Sequence, residues 1–248
     1  LINTGKAYYC FCDKARLKSI RSKHKGYDGH CREIDTDTAL ERVTSGEEHT
    51  IRFRSPKQGT TTVDDLIRKN ITVKNEQLED FVLFKADGFP VYHLAAMVDD
   101  HLMGITHVIR GEEWLSSIAK HALIIRAFGW SEPIWCHLSV LTQPGGKGKM
   151  SKRDGKTDEQ DDNHSIFIHD LRNKGYHPEA IINWMALMGW SLADKQEDFK
   201  LADLEKVFKL ERINPSPAAV NFSKLDYFQG KHVRQMSDRE VAASVQPF

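Results

Sequence analysis

Two groups of residues in this chain have the types and spacing to do chemistry. The first is "QPGGKGKMSKRDGKT", residues 143–157. Gly145, Gly146 and Gly148 let backbone N–H groups approach oxygen atoms closely. Lys147, Lys149, Lys152, Arg153 and Lys156 add compact positive charge, most of it on flexible stems. The combination suits a polyphosphate whose charge grows and then leaves, and little in the stretch is apolar enough to anchor it. A generic basic turn would explain the cations but not the order Lys149, Met150, Ser151, Lys152, Arg153. The second group is Arg110 in "VIRGEE", a planar guanidinium fork of the kind that pairs with carboxylates. Its plain structural alternative is an ion pair with Glu112 or Glu113.

These residues need elements to hold them. "PIWCHLSVL" reads as an apolar strand that delivers the glycine–lysine loop to a sheet edge, where ligands of α/β sheets collect. Before it, "YHLAAMVDDHLMG" reads as a helix stopped by Gly104, and "ITHVIRG" as a short buried strand. "EEWLSSIAKHALIIRAFG" reads as one helix, with Leu115, Ile118, Ala122, Ile125 and Phe128 on one side and Gly129 as its stop. Strand, helix and strand in this order predict a parallel α/β unit. Trp114 reads as a core residue, and Asp99, Asp100 and His101 as a helix end.

Upstream, Lys14 to Lys25 carries six Lys/Arg residues and no acid. Leu17 and Ile20 share one side of it, so a short basic helix is expected, either a solvated face or a patch that meets phosphates. "HTIRFRSP" predicts a strand, and "FVLFKADGFPVYH" a hairpin around Asp87-Gly88. Downstream of the loop, "SIFIHDLRNKG", "HPEAIINWMALMGW", "LADLEKVF" and "FSKLDYFQGKHVR" predict helices, and Ser237 with Glu240 opens another as a capping box.

Composition narrows the function. The 248 residues carry 35 Lys/Arg and 35 Asp/Glu, so any polyanion site must be local. No apolar run approaches the roughly 20 residues that span a bilayer, so no membrane role is expected. Cys10, Cys12, Cys31 and Cys136, with no secretory segment, read as reduced thiols.

"KMSKR" at 149–153 resembles the signature loop of class I aminoacyl-tRNA synthetases. Residues 84–130, "PEAIINWMALMGWS", "FSKLDYFQGKHVR" and "YDGHCR" resemble one branch of that class, the glutamyl-tRNA synthetases. The resemblance covers essentially the whole chain. It implies an α/β fold: a partial class I Rossmann-like nucleotide fold with an inserted α+β acceptor-binding domain and an α-helical stem-contact domain. Residues 1–91 would be mostly the insertion, 92–145 the second half of the nucleotide fold, and 146–248 the loop and helical region. It implies ATP-dependent activation of L-glutamate and transfer to tRNA, with Mg2+ as the usual companion of ATP.

By the same resemblance, Lys149, Met150, Ser151, Lys152 and Arg153 close on ATP, with Lys149, Ser151, Lys152 and Arg153 as the catalytic set. Leu141 meets the adenine through its backbone, and Glu113 is a further ATP contact. Arg110 recognises the glutamate side chain, and Tyr92, His93, Leu94, Ala95 and Ala96 line its pocket. Ala96 stands where the family usually has Asn, which removes a polar contact. Cys10, Cys12 and Cys31 resemble part of a zinc site found in some members; the fourth ligand is expected at Glu33, with His24 and His30 as substitutes.

The implied partners are the tRNA acceptor and inner stems, for a monomer in the cytoplasm or in a mitochondrial or plastid matrix. The chain starts without Met, in mid-pattern, and is expected to be the central part of a longer protein. A His-Ile-Gly-His-like signature is expected upstream and an anticodon-binding domain downstream, so this stretch alone is not expected to catalyse. Readings left open are glutamine or dual specificity, the shorter paralogue that modifies a tRNA base, and a non-catalytic tRNA-binding module.

Overall fold

The computed structural model describes residues 1–22, 26–150, 166–192 and 196–245. The chain forms two compact units, Leu1–Cys136 and His137–Phe248. Among the described residues no helix is long and apolar enough to cross a membrane.

The first unit opens with strand β1 (Ala7–Cys10), helix α1 (Lys14–Arg21) and helix α2 (Thr36–Thr44). Asp13 and Asp35 start the two helices by accepting from the backbone N–H of Arg16 and Thr38. Ile20 is buried and Leu17 half-buried, while Lys14 and Lys18 face solvent, as the spacing predicts. Strands β2 (Thr50–Phe53), β3 (Thr60–Asp65), β4 (Lys69–Lys74) and β5 (Val82–Phe84) follow. β1, β2 and β5 make an antiparallel sheet in that order.

The hairpin expected around Asp87-Gly88 is present but short, with Lys85 N donating to Phe89 O at 2.9 Å and Val91 N to Leu83 O at 2.8 Å. β5 returns through a single bridge, Phe84 to Pro90, and Val91 then leads into α3 (Tyr92–Leu102). A buried carboxylate ties this region together. Asp80 accepts from Tyr8 Oη at 2.7 Å, Arg32 Nη1 at 2.6 Å and Ser55 N at 3.1 Å, and pairs with Lys57 Nζ at 2.9 Å.

The second sheet has the order β4-β3-β7-β6, with β6 at His107–Gly111 and β7 at Ile134–Leu138. The division between the units falls within β7. β3 runs parallel to β7, pairing Asp65 with Trp135. Hairpin β3–β4, from residues 60–74, therefore shares a sheet with a strand that lies beyond residue 92. β6 is not buried as expected: it ends the strand order, and Ile109 is 49% exposed.

Residues 112–129 are not one helix either. Glu112–Ser117 is a 3-10 turn, and α4 (Ile118–Phe128) begins after it and stops at Gly129 in the left-handed region. The core of this unit gathers Phe53, Val63, Phe81, Leu83, Leu94, Met97, Ile118, Ala122, Ile124, Ile125 and Trp135.

In the second unit β8 (Leu141–Thr142) runs parallel to β9 (Ala218–Ala219). Helices α5 (Ile168–Asn173), α6 (Pro178–Ala186), α7 (Leu201–Val207), α8 (Phe222–Val233) and α9 (Asp238–Val245) match the expected helical segments. Pro178 sits in the first turn of α6, and Ser237 and Glu240 close the capping box before α9. Leu171, Ile181, Trp184, Phe222, Leu225 and Phe228 form the main core, and Trp184 Nε1 donates to Asn221 O at 2.8 Å.

Candidate functional site

In the first unit, the end of β6, the first turn of α3 and the first turns of α4 bring Arg110, His93 and His121 together. His121 is completely buried. Its Nδ1 lies 3.0 Å from Arg110 Nη1, and its Nε2 lies 2.9 Å from His93 Nδ1. A guanidinium has only donors, so His121 Nδ1 accepts. A neutral His121 then carries its proton on Nε2 and donates to His93 Nδ1, which leaves the His93 proton on Nε2. Burial lowers the His93 pKa, and the Lys120 and Arg110 charges lower it further, so the neutral form of that ring is favoured.

Aromatic rings wall the arginine. Its guanidinium lies 5.1 Å from the Trp135 ring centre and 5.8 Å from that of Trp114. Tyr92 packs on Trp114 with centres 4.7 Å apart, and Tyr92 is 53% exposed. Trp114 is therefore half-buried beside Arg110, where the sequence suggested a core residue. The 3-10 turn explains the difference, because it carries Trp114 across from α3 and α4. Burial lowers the Arg110 pKa, with Tyr92, Asp100 and Asp65 acting in the opposite sense. Glu112, one of the two candidate ion-pair partners of Arg110, pairs with Arg68.

Other predicted positions are dispersed. Leu94 turns into the core, Ala95 is half-buried, and Ala96 packs against that core one helical turn from Tyr92. Glu113 is exposed, and its carboxylate rests so close to Gly111 that a Cβ there would collide with it.

The glycine–lysine loop begins in the second unit as a tight hairpin. Thr142 bridges Lys149, Gln143 N donates to Gly148 O at 3.0 Å, and Met150 N donates to Leu141 O at 2.8 Å. Gly145, Gly146 and Gly148 all have φ between 80° and 86°, which other residues rarely adopt. Lys149 is exposed, whereas Met150 is buried in the helical core. The stretch thus has an apolar anchor after all, and it is the methionine of the signature. Leu141 is half-buried at the base of the hairpin. Ser151, Lys152 and Arg153 lie outside the described residues.

The three thiols of Cys10, Cys12 and Cys31 converge, with sulfur atoms all within 4.8 Å of one another. Cys12 Sγ is 3.5 Å from Cys31 Sγ. The hydroxyl of Tyr27 stands among them, 3.3 Å from Cys10 Sγ and 3.6 Å from Cys12 Sγ, and accepts from Cys31 N at 2.9 Å. Glu33, the expected fourth ligand, is instead 83% exposed and held by Arg32 and Arg54. His24 lies outside the described residues, and His30 is exposed.

Burial pushes the Cys12 thiol up to about 12. Cys10 shifts the other way: burial opposes it, but hydrogen bonds from Tyr27 and Arg52 favour the thiolate. The three sulfurs are three of the four donors that a structural zinc site takes, and burial together with the neighbouring thiols pushes the Tyr27 phenol pKa up.

The family model described as tRNA synthetases class I (E and Q), catalytic domain, matches residues 1–227. The chain belongs to that family. A glutamate–tRNA ligase of Finegoldia magna is 40% identical over 254 residues, covering 100% of this chain and 50% of that protein. One from Treponema pallidum strain Nichols is 42% identical, covering 100% and 46%.

A crystal structure of a glutamate tRNA ligase from Elizabethkingia meningosepticum in complex with its amino acid superposes with a TM-score of 0.84 at 34% identity. It covers 97% of this chain and 52% of that one. The chain spans about half the length of the curated relatives it matches. Its mixed α/β architecture is that of a class I synthetase catalytic domain with part of the Rossmann-like fold.

Two members of these clusters escape a residue-by-residue reading of the sequence. His121 sits at a helix position whose spacing marks only core, and Tyr27 lies in a polar stretch. Each is recognisable only by what it faces. The spacing Tyr27-x-x-x-Cys31 is the one available hint for the second.

Proposed function

We propose that the full-length protein is a glutamate–tRNA ligase. It joins L-glutamate to ATP, releasing pyrophosphate, and passes the glutamyl group to the terminal adenosine of a tRNA. The observation that carries this reading is Arg110, seated between Trp114 and Trp135 and held by His121 at 3.0 Å. A fixed planar cation in an aromatic wall suits the glutamate side-chain carboxylate and disfavours the amide of glutamine. Tyr92 and His93 complete this side of the pocket.

In this reading the exposed Lys149, with Ser151, Lys152 and Arg153, supplies positive charge to the transferring phosphates, with Mg2+ as the companion ion. Met150 anchors the start of that loop in the helical core. Leu141 offers backbone to the adenine and Glu113 a further ATP contact. Residues 1–91 would largely grip the tRNA acceptor stem, 92–145 complete the nucleotide fold, and 146–248 carry the loop and the inner-stem contacts. Cys10, Cys12, Cys31 and Tyr27 would hold a structural zinc ion, closing the insertion on itself where apolar core is scarce. The protein works where tRNA is charged, in the cytoplasm or an organelle matrix.

The test is charging of tRNA by the full-length protein with labelled glutamate and glutamine in parallel. Glutamate should be attached strongly preferentially; equal charging, or none with either, would overturn the reading.

A further inference from the structure

We infer that His121 is a specificity-positioning residue: it holds Arg110 through a neutral acceptor, so that the guanidinium is fixed in direction without an opposing charge from that side. The inference rests on Arg110 recognising the substrate carboxylate. It arises from three observations. His121 is completely buried, on α4. Both its ring nitrogens are engaged, Nδ1 with Arg110 at 3.0 Å and Nε2 with His93 at 2.9 Å. The donor-only chemistry of arginine sets the direction of the whole series, from Arg110 to His121 to His93.

The choice of an imidazole has a consequence. A carboxylate at position 121 would hold the guanidinium at least as firmly, but as an ion pair. Much of the positive potential that tells glutamate from glutamine would then be cancelled before substrate arrives. An apolar residue would leave the potential intact and lose the aim. Histidine supplies aim without cancellation, and passes its remaining N–H to His93 on α3. Glutamine could reproduce both bonds, with its carbonyl toward Arg110 and its amide toward His93.

Four variants of the full-length protein separate these ideas in tRNA-dependent ATP–pyrophosphate exchange with either amino acid. His121→Gln should keep the KM for glutamate within about threefold of wild type and retain the preference over glutamine. His121→Leu should raise the glutamate KM about tenfold or more with kcat less affected, because aim rather than chemistry is lost. His121→Glu should reduce the glutamate-to-glutamine preference at least about tenfold. Thermal unfolding midpoints identify any variant that fails to fold; the comparison of the Gln and Glu variants, both polar and of similar size, then decides.

An unchanged preference in His121→Glu, or a Gln variant as impaired as the Leu variant, would overturn the inference. Arg110→Gln distinguishes this from failure of the underlying reading. If Arg110→Gln retains full glutamate preference, the carboxylate assignment itself falls; if it loses that preference while His121→Glu keeps it, only the role of His121 falls.

Discussion

The hydroxyl of Tyr27 lies 3.3 Å from the Sγ of Cys10. A phenol so close to a cluster of thiols, with its ring 3.8 Å from the Arg52 guanidinium, is the candidate for the fourth donor that Glu33 does not provide. Arg52 Nε also meets Cys10 Sγ at 3.2 Å, which favours the thiolate form of that cysteine. The full-length protein is expected to bind one zinc ion per chain. Tyr27→Phe should weaken it by about tenfold or more in competition with a chromophoric chelator, and should alter the absorption of the cobalt-substituted form. Unchanged affinity and spectrum would remove Tyr27 from the site.

Asp80 links strand β1, the segment before β5 and the stretch around Arg32 through a single buried carboxylate. Burial would raise its pKa, but hydrogen bonds from Lys57, Arg32 and Tyr8 prevail and hold it below the ordinary value of 3.8. A depressed folded-state value means that this stabilisation is present above the unfolded-state pKa and fades as pH falls through the folded one. Asp80→Ala removes the shared partner of Tyr8, Arg32 and Lys57 and leaves the buried Ser55 N–H without its acceptor, which should cost about 1–3 kcal/mol. Urea unfolding at pH 7 and at successively lower pH checks both points. The wild-type advantage over the variant should shrink in acid; a difference that stays constant through the acid range would contradict the assignment.

Gly111 has φ −69° and ψ 152°, which alanine adopts without strain. Its replacement therefore probes only the Glu113 carboxylate that a methyl group would displace. If Glu113 touches ATP, Gly111→Ala should raise the KM for ATP several-fold, by about 1 kcal/mol of lost contact, with little change in the KM for glutamate. A rise confined to glutamate would place Glu113 elsewhere.

Much of this fold is legible in the sequence because helix stops and strand alternation are local. Gly104 and Gly129 end α3 and α4 where the pattern places them, and β3 alternates exposed and buried residues along its length. Three features are not local. The 3-10 turn at 112–117 looks like the first turn of α4 until Glu112 is seen tied to Arg68 on another part of the chain. β6 reads as buried from its valine and isoleucine, yet stands last in its sheet. The 143–150 loop looks unanchored until Met150 is seen inside a helical core built from residues 166–228. Of the site, Arg110 and Tyr92 carry motif signals. His121 carries none and Tyr27 only a spacing, since a buried histidine on an apolar helix and a tyrosine in a polar loop are ordinary in sequence.

The central claim is that Arg110 reads the substrate carboxylate, and one measurement addresses it most directly. Full-length wild type and Arg110→Gln are compared for kcat/KM with glutamate and with glutamine, using tRNA and ATP at saturation. Loss of the charged fork should lower glutamate use by about 100-fold or more and leave glutamine use equal or improved, collapsing the preference. An Arg110→Gln enzyme that still prefers glutamate by the wild-type factor would contradict the account.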